Sequence, residues 1–156
     1  MISYLKGDAT EPIDNGNNRI LTHIVNNKGG FGAGFAKSLV YRWPSSRHVY
    51  KNWFEFDVPK RFEMGAILLH PLDERLELCH MLAQNGYKST DNESPVDYGA
   101  LNCCLIRLGR YARDAVASIH MPRIGTGLGG GKWDVIEPML IRNLVDVGVA
   151  VYVYDI

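Results

Sequence analysis

The chain has 156 residues, 46% of them hydrophobic and 22% charged, which is the balance of one ordinary domain able to bury a core without staples. Seventeen Lys and Arg against seventeen Asp and Glu exclude broad electrostatic capture of nucleic acid or of an anionic membrane, and leave room for a local pocket that holds one anion.

Residues 2–6 alternate weakly and read as a first strand, stopped by Gly7-Asp8. Residues 11–19 are dense in turn formers and read as loop. A short apolar run at 20–25 fits a buried strand, and the polar, glycine-rich stretch 26–34 follows it. Residues 35–42 have helical composition; Pro44 suits the first turn of a second helix running to 56. Residues 65–70 and 76–84 read as neighbouring strands joined by a turn at 71–75, and 86–95 as polar loop. From 97 to 117 the positions Leu101, Leu105, Leu108, Ala112, Ala115 and Val116 recur at helical spacing. A strand at 118–121, a second glycine-rich loop at 125–131, a helix at 134–147 containing Pro138 and a β-branched strand at 149–154 complete the chain.

Strands and helices largely alternate, which predicts an α/β fold: a three-layer sandwich with a central mixed sheet flanked by helices, in a single domain over 1–156. Cys79, Cys103 and Cys104 show neither a disulfide framework nor metal-ligand spacing and read as core cysteines of a chain kept in a reducing compartment. The first six residues are too short and polar for a signal peptide, and no apolar run reaches membrane-spanning length, so a cytoplasmic protein is expected. The aromatics Trp43, Tyr50, Trp53, Phe54 and Phe56 stand among Arg42, Arg47, Lys51, Lys60 and Arg61; packing explains them better than base stacking. His48, His70, His80 and His120 read as structural.

The two glycine loops carry the chemistry. Each follows a buried strand and opens a helix, where α/β proteins bind ligands. Gly30-Phe31-Gly32-Ala33-Gly34, with Phe35, and Gly125-Thr126-Gly127-Leu128-Gly129-Gly130 would each present backbone N–H groups to an anion, and together they suit a diphosphate. The second loop spells the dinucleotide fingerprint G-x-G-x-x-G, but one helix and one strand follow it, too little for a Rossmann half. It is not a P-loop either, since Gly131-Lys132 is followed by Trp133.

Read in order, Gly7-Asp8-Ala9-Thr10, His23-Ile-Val-Asn26, Gly32-Ala-Gly-Phe-Ala36, Met121-Pro-Arg-Ile-Gly-Thr-Gly-Leu128 and Val151-Tyr-Val-Tyr154 span nearly the whole chain. This set resembles the macrodomain family, in the branch of ADP-ribose 1″-phosphate phosphatases and terminal ADP-ribose protein glycohydrolases. The resemblance implies that Asp8 accepts from the adenine amino group, with Ala9 offering its N–H. It implies that Asn26 binds the distal ribose, that both glycine loops wrap the diphosphate, and that Tyr154 and Asp155 lie near the adenine. The glycohydrolase relatives place a lysine where this chain has Gln84 or Asn85, and an aspartate where it has Gly129. Lys88 would serve only if its loop folded back.

Three side chains remain as catalytic candidates: His23 as acid or water-orienting group, Gln84, and Asp97 as general base or as the cap of the long helix. The expectation is an enzyme that binds ADP-ribose and hydrolyses ADP-ribose 1″-phosphate without metal or cofactor, as a monomer. A glycohydrolase acting on ADP-ribosylated macromolecules, or a non-enzymatic reader, is the alternative.

Overall fold

The computed structural model describes residues 1–156. Six strands, β1 (Ile2–Lys6), β2 (Asn18–Asn26), β3 (Ile67–Asp73), β4 (Leu76–Gln84), β5 (Ala117–Pro122) and β6 (Val151–Asp155), form one sheet in the order β1-β6-β5-β2-β4-β3. Every neighbouring pair is parallel except β3 and β4, which form an antiparallel hairpin at one edge. The central strands are buried on both sides and alternate their apolar residues between two cores. Leu21, Val25, Leu78 and Leu82 pack with Leu39 of α1 (Phe35–Arg42) and with Tyr50 and Trp53 of α2 (Ser45–Phe56). Ile20, Cys79, Met81, Ile119 and Val153 pack with α3 (Tyr98–Ala115) and α4 (Trp133–Leu140). These two clusters make the three-layer α/β sandwich expected from the sequence.

Four departures have physical reasons. Strand β3 runs through Pro71 to Asp73 where a turn was expected; it is an edge strand, so the missing proline N–H removes no sheet hydrogen bond, and the register shifts there. The last helix does not continue as α-helix to 147: after Leu140 it widens into one π-helical turn, Ile141–Val145. That turn lies so close to α3 that a Cβ on Gly109 would come within 2.3 Å of the Asn143 carbonyl oxygen. Of the three cysteines, Cys79 and Cys104 are buried but Cys103 faces solvent. Phe56 is 65% exposed, whereas Tyr50 and Trp53 are fully buried, so the aromatic cluster belongs only partly to the core. No helix is long and apolar enough to cross a membrane.

Candidate functional site

The loops after β2 and β5 leave the sheet beside one another, because β2 and β5 are adjacent parallel strands. Between them opens a cleft of about 440 Å³, lined by His23, Asn26, Gln84, Gly125 and both loop backbones.

The first loop is braced by side chains rather than by glycine alone. Asn26 Oδ1 accepts the N–H groups of Lys28 at 2.9 Å and Gly30 at 3.2 Å, and its Nδ2 donates to the Gly30 carbonyl at 2.8 Å. Tyr50, reaching up from α2, donates its hydroxyl to the Asn26 carbonyl at 2.6 Å and accepts the Gly29 N–H at 3.1 Å. Lys51 donates to the Gly29 carbonyl. With the start of the loop so fixed, the N–H groups of Gly32, Ala33, Gly34 and Phe35 have no partner within the protein, and no side chain caps α1.

The second loop is pinned at its far end. Gly131 N–H donates to the Gly125 carbonyl at 2.6 Å, Gly130 N–H to Gly127 at 3.0 Å, and Val96 N–H to Gly129 at 3.0 Å. Gly130 has φ +67, and a Cβ there would stand 2.1 Å from the Glu93 carbonyl oxygen, so only glycine lets the loop press against residues 93–94. The amides of Gly127, Leu128 and Gly129 remain without a partner inside the protein. Two rows of N–H groups without a protein partner therefore border one cleft, where a bound anion could accept from them in place of water.

The charge of the lining agrees. Lys88 and Arg123 contribute to it, and no Asp or Glu does. Lys88 arrives because the 86–95 loop folds back: Gln84 pairs with Val96, Ser89 with Asn92, and Asn92 Nδ2 donates to the Asn85 carbonyl at 2.9 Å. Sequence spacing placed Lys88 too far along the chain, and nothing local announces the fold-back except the turn formers Asn85, Gly86 and Asn92. Tyr87 of the same loop lies over the first loop, its hydroxyl 2.6 Å from where a Gly30 Cβ would sit. Arg123 is held at the cleft edge by two hydrogen bonds to Asp155, at 2.7 and 3.0 Å, and lies over the rings of Tyr4 and Trp133. That pairing holds the Asp155 carboxyl below its ordinary range. Neither Tyr87 nor Arg123 stood out in the sequence, since each acts through a tertiary contact.

The structure brings together His23, Asn26, Gln84, Gly30, Phe31, Gly32, Ala33, Gly34, Phe35, Gly125, Gly127, Leu128 and Gly129. Asp8, Ala9, Thr126, Gly130, Tyr154 and Asp97 lie outside the lining. Asp8 Oδ1 accepts from the Thr10 N–H and hydroxyl, both at 2.8 Å. Thr126 donates its hydroxyl to the Arg123 carbonyl at 2.8 Å. Tyr154 OH meets His120 Nδ1 at 2.7 Å and the Ile13 N–H at 3.0 Å. Asp97 caps α3, accepting the Ala100 N–H at 3.0 Å. Gln84 Nε2 donates to the Gly86 carbonyl at 3.0 Å, steadying the fold-back loop.

His23 sits within β2, not at its end, and is 3% exposed at the cleft floor. Its ring meets Phe31 edge-on, with centroids 5.5 Å apart. Burial pulls its pKa down to about 3, so the ring is neutral at neutral pH.

No family model matches the chain. Among solved structures it is similar to a Bacteroides thetaiotaomicron protein of unknown function, at 36% identity and TM-score 0.93 over 100% of this chain and 98% of that one. It is also similar to a macrodomain protein from Streptomyces coelicolor, at 34% identity and TM-score 0.88 over 100% and 99%. Curated relatives include the mouse chromodomain-helicase-DNA-binding protein 1-like, 26% identical over 98% of this chain; the chain spans 17% of that protein's length. An ADP-ribose 1″-phosphate phosphatase of Candida albicans is 24% identical over 90% of this chain and 92% of its own length. A DNA ADP-ribosyl glycohydrolase of Mycobacterium tuberculosis is 24% identical over 97% of this chain and 42% of its own.

Proposed function

The chain belongs to the macrodomain family, and from that premise we propose that it binds ADP-ribose in this cleft and hydrolyses ADP-ribose 1″-phosphate to ADP-ribose and phosphate. The observation that carries the reading is the pair of unpartnered amide rows, Gly32 to Phe35 and Gly127 to Gly129, with Lys88 and Arg123 and no carboxylate in the lining. Such a site favours a multiply charged anion, since fixed N–H dipoles hold phosphate oxygens without reorganisation. A similar protein named as a phosphatase matches over most of both chains, which supports the choice of reaction. With no Asp or Glu in the lining, we assign to His23, rather than Gln84, the role of orienting or deprotonating the attacking water.

One observation favours a second reading. Lys88 lines the cleft, and a lysine amine adding to C1″ would displace an attached macromolecule and leave a covalent intermediate for water to open. Two assays on purified protein separate the readings. Phosphate release from ADP-ribose 1″-phosphate, abolished by His23→Ala and retained by Lys88→Ala, supports the phosphatase. Release of ADP-ribose from modified DNA or protein, abolished by Lys88→Ala, supports the glycohydrolase. Binding of ADP-ribose with turnover of neither substrate leaves a reader and overturns both hydrolytic readings.

A further inference from the structure

Three histidines, of which the sequence made only His23 a catalytic candidate and left His70 and His80 structural, stand in one row. His23 of β2 is in register with His80 of β4, and His80 in turn faces Leu68 of β3, two residues from His70. All three project from the same face of the sheet, so the row crosses three adjacent strands at right angles to the chain. His23 Nε2 lies 2.8 Å from His80 Nδ1, and His80 Nε2 lies 3.0 Å from His70 Nε2. The planes of the His70 and His80 rings differ by 16°. His80 is fully buried, His23 lines the cleft, and His70 is half-buried on the edge strand. One row of hydrogen bonds thus connects the cleft floor to the sheet edge.

The row has only two neutral arrangements, because an imidazole without charge carries one N–H and His80 uses both nitrogens. In one, His23 Nε2 donates to His80 and His80 Nε2 donates to His70. In the other, every bond is reversed. Burial opposes charge on all three rings, while the Pro71 carbonyl and the Glu77 carboxylate partly offset it at His70. A lone His23 would be a poor base here, since accepting a proton would leave an imidazolium in the core. A row that shifts from one arrangement to the other accepts a proton at one end and gives one up at the other without any charged ring.

We propose that His70, His80 and His23 form a proton relay between the cleft and the sheet edge that serves the hydrolytic step. This rests on the phosphatase reading. As the water oxygen bonds to phosphorus, its proton passes to His23 Nδ1, the ring nitrogen that no protein group occupies. His23 Nε2 hands its proton to His80 Nδ1, His80 Nε2 hands one to His70 Nε2, and His70 Nδ1 releases one to solvent. When the bond between phosphorus and the C1″ oxygen breaks, the row runs inward. Solvent returns a proton at His70, and His23 Nδ1 gives one to the leaving oxygen. Both protons balance, and the rings end as they began. His80 and His70 act through His23 and are positioning residues.

The test pairs kinetics with nitrogen NMR. In His70→Gln, which keeps a hydrogen-bonding side chain at the edge but passes no proton, kcat for ADP-ribose 1″-phosphate falls at least tenfold while ADP-ribose affinity stays within twofold. In His70→Ala, added imidazole restores a measurable part of kcat. Wild-type turnover in His70→Gln, or a loss in His70→Ala that imidazole leaves untouched, overturns the relay. Independently of turnover, ring ¹⁵N shifts at pH 7 show three neutral histidines, with His23 and His80 sharing one tautomer. An imidazolium in the row overturns the relay, whereas a neutral row in a protein that hydrolyses neither substrate overturns the phosphatase reading instead.

Discussion

Asn26 is the residue on which the first loop turns. Its amide satisfies two N–H groups and one carbonyl of its own loop, so it shapes the site before it touches any ligand. Asn26→Ala should weaken ADP-ribose binding by about tenfold, on the order of 1.4 kcal/mol, measured by calorimetry. An unchanged affinity would show that the loop organises itself. The buried histidines also set an acid limit. Burial lowers the His23 pKa to about 3 and that of His120, lodged between Ser118 and Tyr154, to about 4. In the unfolded chain both titrate near the ordinary value, so below about pH 6.5 the unfolded state binds more protons. Their contribution is complete above that pH and fades as pH falls toward the folded values. Urea unfolding at pH 7, 6 and 5 should show stability dropping by about 0.7 kcal/mol per ring in the first step and by about 1.2 kcal/mol in the second, approaching about 1.4 kcal/mol per unit only at lower pH. A flat profile would mean that the rings titrate in the fold as they do in the unfolded chain.

At the scale of elements, two helix ends of α3 make opposite predictions. Asp97 closes its start with a side-chain cap, so Asp97→Ala should cost about 1 kcal/mol in denaturant unfolding. The same variant reports on catalysis, because the carboxylate stands outside the cleft lining. Val116 closes the other end in a left-handed conformation, φ 52, and the residue is 76% exposed. A β-branched residue is strained there and gains no burial in return. Val116→Gly should therefore raise stability by about 1 kcal/mol and Tm by about 2–4 °C, and a lower Tm would show that Val116 is not strained. Elements with strong local signals were legible in the sequence: α1 and β4 have the bounds that composition predicted, residues 35–42 and 76–84. What escaped was decided by neighbours. Pro71 stays in a strand because β3 is an edge, and the π-helical turn fits against Gly109 of α3. For the site, His23, read as a strand-end residue, lies within β2, whereas the glycine loops and Asn26 were legible because backbone freedom and strand-end position leave marks in the chain. Lys88, Tyr87 and the histidine row were not, because only a loop folding back, and strands pairing in a given register, bring them into place.

The whole molecule is two cores divided by a sheet, and its tightest joint is where α3 meets the π-helical turn. Gly109→Ala would force the Asn143 carbonyl aside and should cost about 1–3 kcal/mol, read as a fall in Tm with ADP-ribose affinity at the folded temperature retained. Wild-type Tm would mean that the joint yields. The strand order carries a further consequence. β1 touches the sheet only through β6, pairing Ile2 with Val151 and Lys6 with Asp155. The opening strand therefore has no partner until residues nearly 150 positions later have taken their place beside β5. During synthesis β1 leaves the ribosome early and waits, and the sheet is finished by a late, long-range closure of the kind that sets slow folding rates.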